Sequence, residues 1–77
     1  MDAEAVRTIR QAVGPDFDLM IDRTAAKPGW VWDFETGLQM ARAFEELGVK
    51  WLEEPFDLHD YEPHKKLADM VDIPITG

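Results

Sequence analysis

Two short runs, Leu19-Met20-Ile21-Asp22 and Trp51-Leu52-Glu53-Glu54-Pro55, decide the fold, because each is apolar until it ends in a carboxylate. Leu19, Met20 and Ile21 follow one another without polar alternation, the pattern of a strand covered on both faces as in a parallel sheet. The spans predicted for the two strands are Asp18–Asp22 and Val49–Glu53. Between them the period changes to that of a helix. Asp33 caps it, Phe34, Leu38, Ala41, Phe44 and Leu47 share one face, Arg42, Glu45 and Glu46 populate the wet side, and Gly48 closes it. Strand, helix and strand in that order imply a right-handed crossover and a parallel pair. Substrates and metals sit at the C-terminal tips of such strands, so Asp22 and Glu53 are the first functional candidates.

Working outward, Asp2 can cap a first helix with Val6, Ile9 and Val13 on one face and Gly14-Pro15 as its stop. Arg23 to Trp32, interrupted by Lys27-Pro28-Gly29, reads as a long loop leaving the tip of the first strand. Asp60 begins a third helix with Pro63 in its first turn and Leu67, Ala68 and Val71 as its buried stripe. Asp72-Ile73-Pro74-Ile75-Thr76 is a third strand, shortened because Pro74 cannot donate to a sheet ladder. The fold class is therefore α/β, ordered αβαβαβ with three parallel strands, without repeats, low-complexity tracts or a linker. A closed barrel takes eight strands and roughly 250 residues, so the expectation is an open sheet or a section of something larger.

Composition narrows the partners. The 77 residues carry 16 acidic and 8 basic side chains, a net charge of -8, which disfavours nucleic acid and anionic membranes and suits solubility or cation binding. With no cysteine there is neither a disulfide framework nor a thiolate metal site. No apolar stretch approaches the roughly 20 residues that span a bilayer, and Met1-Asp2-Ala3-Glu4 lacks the basic start of a signal peptide, so the expected location is cytoplasmic.

Asp-Leu-Met-Ile-Asp at 18–22, Phe44-Glu45-Glu46-Leu47-Gly48 leading to Trp51-Leu52-Glu53-Glu54-Pro55, His59-Asp60-Tyr61-Glu62, and Ile73-Pro74-Ile75-Thr76-Gly77 form an ordered set. In order and spacing this set resembles the middle of the catalytic barrel of the enolase superfamily, in its mandelate racemase and muconate lactonizing branch. The resemblance implies a partial TIM-like (β/α) barrel, with residues 1–77 a single incomplete domain. Family members hold a magnesium ion with carboxylates from the tips of consecutive strands, which makes Asp22 the first ligand and Glu53 the second. The remaining acid follows the glycine after the Ile-Pro-Ile strand, and so is expected beyond Gly77. Oxygen ligands suit a hard cation that keeps waters or substrate oxygens in its shell, and a divalent ion relieves the repulsion between neighbouring carboxylates.

What the resemblance implies for function is a magnesium-dependent enzyme that abstracts the proton alpha to the carboxylate of a small-molecule substrate. A sugar-acid dehydratase is favoured over a racemase, epimerase or cycloisomerase. The full-length parent is then a lyase or isomerase and a homo-oligomer, with its acid/base residues before and after this segment. The sequence departs from the family where relatives read Asp-x-Asn. Here Asp22-Arg23-Thr24 stands, and Thr24 offers one donor fewer. The loop with Trp30 and Trp32 is also longer than the shortest family loops and is placed to shape the substrate pocket.

Two other functional classes share these residues. Asp22 and Glu53 could be the acid and nucleophile of a metal-free barrel glycosidase, or the whole could be a small α/β module without catalysis. Glu54 is expected to point away from the ligand face, since successive strand residues alternate. His59 and His64 are read as solvated, Lys27 as a surface charge, and Trp30 and Trp32 as either a lid or residues packed over helix ends or a partner subunit, without catalytic roles. An open sheet exposes unpaired edges and an apolar inner face. The isolated chain is accordingly expected to associate or partly unfold and to turn over no sugar acid. Size-exclusion chromatography with thermal unfolding tests this, and a compact monomer with a sharp transition would contradict it.

Overall fold

In the computed structural model, which describes residues 3–23, 32–57 and 60–76, helices and strands alternate. They are α1 (Ala3–Val13), β1 (Ile21–Asp22), α2 (Phe34–Glu46), β2 (Leu52–Glu53), α3 (Tyr61–Met70) and β3 (Ile75–Thr76). The strands form one parallel sheet in the order β1-β2-β3, the αβαβαβ arrangement expected. Their regular portions are brief, but the ladder reaches further. Lys50 N donates to Leu19 O at 2.7 Å, Ile21 N to Trp51 O at 3.1 Å and Arg23 N to Glu53 O at 3.0 Å. On the other side Leu52 N donates to Pro74 O at 3.0 Å and Glu54 N to Thr76 O at 2.7 Å. Pro74 therefore serves the sheet through its carbonyl, the one ladder group a proline retains.

The helices cover one face of the sheet. Phe44, Leu52 and Leu67 are wholly buried at its centre, joined by Val6, Ile21, Leu38, Ala41, Val49, Phe56 and Ile73. Asp33 caps α2 as read, its carboxylate accepting from Thr36 N at 2.8 Å, and that hydrogen bond holds its pKa below the usual carboxylate value. Gly48 adopts φ 71°, a left-handed turn that suits glycine and lets Val49 N return to Phe44 O at 3.0 Å before the chain enters β2. Gly37 faces the edge of the Phe56 ring so closely that a Cβ there would clash with Cε1 and Cζ.

Within these residues the first strand is covered on one face: Met20 is 49% exposed and Trp51 39%, which is the apolar inner face expected of an open section. Other expectations change. On α1 only Val6 is buried, while Ile9 and Val13 stay about as exposed as Trp51, since the helix meets the core through its first half. Asp60 precedes α3 but makes no side-chain cap, and Ala68 faces solvent while Leu67 alone is buried on that helix. The capping role read for Asp2 lies outside the described residues.

Charged side chains complete the helix ends in a way that periodicity does not reveal. Arg10 donates through Nε to Leu47 O at 2.8 Å, through Nη2 to Gly48 O at 3.0 Å, and through Nη1 to Gly14 O at 3.0 Å and to Phe17 O. One guanidinium thus satisfies carbonyls at the C-terminal ends of both α1 and α2, where a positive charge also complements the helix dipoles. Glu45, on the nominally wet side of α2, accepts from Asp72 N at 2.6 Å and Ile73 N at 2.8 Å, tying that helix to the turn before β3. Arg10→Ala is expected to cost about 2 kcal/mol in the protein carrying this segment, from lost charge-assisted hydrogen bonds. Arg10→Lys should recover less than half of that, since a single ammonium lacks the planar fork. Chemical unfolding measures both, and a fully restoring lysine would contradict the shared-cap account.

Candidate metal centre

Asp22 is the last residue of β1 and Glu53 the last of β2, and the two are register partners. Parallel strands run about 4.8 Å apart, and in-register residues project to the same face. The preceding partners, Ile21 and Leu52, are buried toward the helices. Alternation therefore turns Asp22 and Glu53 to the opposite face, where Asp22 is exposed and Glu53 half-buried. Thr76 is in register with Glu53 on its other side, at the tip of β3. The rim so formed reads Asp22, Glu53, Thr76 across the sheet. One pleat below, Met20 and Trp51 stand on the same face by the same alternation and expose apolar surface.

The chain leaves this rim abruptly. Glu54 has φ 51°, a left-handed conformation that costs a non-glycine residue roughly 1–2 kcal/mol, and the buried Pro55 follows it. Strain of this kind persists where neighbouring contacts over-determine it. Here the bond from Glu54 N to Thr76 O and the burial of Pro55 and Phe56 supply those contacts. The backbone thus ends β2 directly after Glu53.

Beside Asp22, the Arg23 guanidinium lies 3.8 Å from the centroid of the Trp32 ring, and partial burial lowers its pKa from the ordinary arginine value. Trp32 in turn packs on Phe44, centroids 6.3 Å apart. Of the two alternatives read for it, these contacts correspond to packing. His64 differs from its solvated reading: its ring meets Phe56 edge-on at 5.3 Å, and Nδ1 lies 2.8 Å from Asp60 O. Phe56, which stacks on Phe34 at 5.9 Å as well, sits in the turn after β2, so helical spacing around His64 could not disclose it. The readings for Thr24, Lys27, Trp30 and His59 lie outside the described residues.

Two carboxylates and a neighbouring hydroxyl offer only oxygen donors. That set matches magnesium, calcium or manganese and not a thiolate-loving metal. Among the described residues no group of three or more acidic, histidine or cysteine side chains gathers around one point. The described part of the rim therefore presents a pair of acids.

A parallel (β/α) section with carboxylates at neighbouring strand tips is the arrangement found in a section of a (β/α) barrel. The chain belongs to the enolase C-terminal domain-like family, whose model matches residues 1–77. It is 38% identical over 75 residues to L-talarate/galactarate dehydratase of Salmonella typhimurium, covering 97% of this chain and 18% of that protein. The crystal structure of D-glucarate dehydratase from Agrobacterium tumefaciens complexed with magnesium superposes with a TM-score of 0.85 at 38% identity, over 100% of this chain and 19% of that one. A mandelate racemase/muconate lactonizing protein from Paracoccus denitrificans gives 0.83 at 26% identity, over 96% and 19%. The chain thus spans about a fifth of the length of the proteins it matches. Enolase-superfamily barrel architecture is confirmed, and the glycosidase and interaction-module readings gain no support.

Proposed function

We propose that residues 1–77 are one section of the catalytic barrel of a magnesium-dependent enzyme that removes the proton alpha to the carboxylate of a sugar acid, most simply a dehydratase. The observation that carries this reading is the register of Asp22 with Glu53 at neighbouring strand tips on one face. Support for dehydration, in preference to racemisation or cycloisomerisation, comes from the names of the similar proteins, dehydratases of talarate, galactarate and glucarate.

In this reading Asp22 and Glu53 hold the ion from adjacent strands, and the hydrogen bonds between β1 and β2 keep their spacing constant. When bound, magnesium supplies positive charge against the substrate carboxylate, where negative charge develops as the alpha proton leaves. Met20 and Trp51, a pleat below, offer an apolar floor that keeps bulk water from the inner side of the acid pair. The base, the acid that assists departure of the hydroxyl, and the remaining ligand come from outside the described residues. The acidic balance accords with a small-molecule partner and a full-length protein that binds no nucleic acid. No helix among the described residues is long and apolar enough to cross a membrane. We place the full-length enzyme in the cytoplasm as a homo-oligomer.

Isothermal titration with magnesium and steady-state assays on galactarate and glucarate test this in the full-length protein. Asp22→Asn and Glu53→Gln should each weaken magnesium about tenfold or more and lower kcat/KM about a hundredfold or more. Unchanged magnesium affinity in both variants would overturn the reading.

A further inference from the structure

We infer that Arg23 and Trp32 are positioning residues for Asp22, acting by a cation–π stack that pins the end of β1 to the core. This rests on the magnesium reading above and adds to it residues that touch neither substrate nor metal. A ligand at the last position of a strand has fixed backbone on one side only, so whatever holds the next residue sets where its carboxylate points. Here the next residue is Arg23, held both through its backbone and through its side chain. Its N–H donates to Glu53 O at 3.0 Å, the carbonyl of the other candidate ligand, and its guanidinium lies 3.8 Å over the Trp32 ring. Trp32 is anchored to Phe44, which is wholly buried.

Contacts therefore run from the centre of the core through two rings and a guanidinium to the backbone joining Asp22 to Arg23. Alternation sends the Arg23 side chain to the helix side of the sheet, away from the face that carries the acids. It acts through the backbone and not as a ligand. The stack needs an aromatic face as well as bulk. Its guanidinium is partly withdrawn from water, which strengthens its attraction to the ring.

Trp32→Leu keeps apolar bulk against Phe44 but removes the ring face, whereas Trp32→Phe keeps both. Titrating the full-length protein with magnesium alone, at a temperature where circular dichroism shows every variant folded, Trp32→Leu and Arg23→Ala should raise the magnesium Kd about tenfold. Trp32→Phe should stay within about threefold of the parent, because phenylalanine still offers a π face. A role in packing alone predicts that leucine and phenylalanine behave alike, with the melting temperature shifting while Kd does not, and that result would overturn the inference. Asp22→Asn serves as the reference. If it abolishes binding while the Arg23 and Trp32 variants bind normally, this inference fails and the metal reading stands; if it too binds normally, the metal reading has failed first.

Discussion

Everything at the rim depends on the register of β1 against β2. Three backbone hydrogen bonds, from Lys50 to Leu19, from Ile21 to Trp51 and from Arg23 to Glu53, set Asp22 opposite Glu53. A slip by one residue would turn Asp22 toward the helices and Ile21 to the open face, since side chains alternate along a strand. Such a slip would bury a carboxylate without a designed partner and expose an isoleucine. Both changes oppose it, so the hydrophobic pattern that builds the core also aims the acids.

The strands are too brief to hold that register alone. Their order is imposed by α2, whose Phe44 and Ala41 are fully buried, and by Leu67 of α3. Polar side chains then fix how each helix hands the chain to the next strand. Arg10 gathers the carbonyls that end α1 and α2, Glu45 receives two amides before β3, and Glu54 accepts a left-handed backbone to end β2 at its acid. The strained residue and the candidate ligand are adjacent. That is where a fold departs from local preference when geometry at a site requires it.

Much of this was legible in the amino-acid sequence. The apolar runs at 19–21 and 51–52, the spacing of Phe34, Leu38, Ala41 and Phe44, and the caps at Asp33 and Gly48 are local signals, and they found the element order and the two rim acids. What escaped was long-range. Arg10 and Glu45 are charged residues on their helices, one half-buried and one exposed, and only tertiary placement shows the backbone groups they meet. His64 looked solvated because its partner Phe56 belongs to a different segment. The uninterrupted apolar run at β1 marks a strand suited to burial on both faces, and within these residues one face is packed while Met20 stands on the open one. Ile9 and Val13 showed helical period without burial for the same reason: period reports which face is apolar, not what lies against it.

Family membership gives the open face a meaning. The fold recurs, at 38% identity and a TM-score of 0.85, in D-glucarate dehydratase from Agrobacterium tumefaciens complexed with magnesium, and in this chain alternation turns Asp22 and Glu53 to the face that also carries Met20 and Trp51. The most direct measurement is a crystal structure of the full-length protein soaked with manganese, whose anomalous signal marks the ion without ambiguity. The account predicts one peak with oxygens of both Asp22 and Glu53 about 2.1–2.2 Å away, as expected for a hard octahedral cation. A peak coordinated elsewhere, with the two carboxylates bound to no common ion, would contradict it.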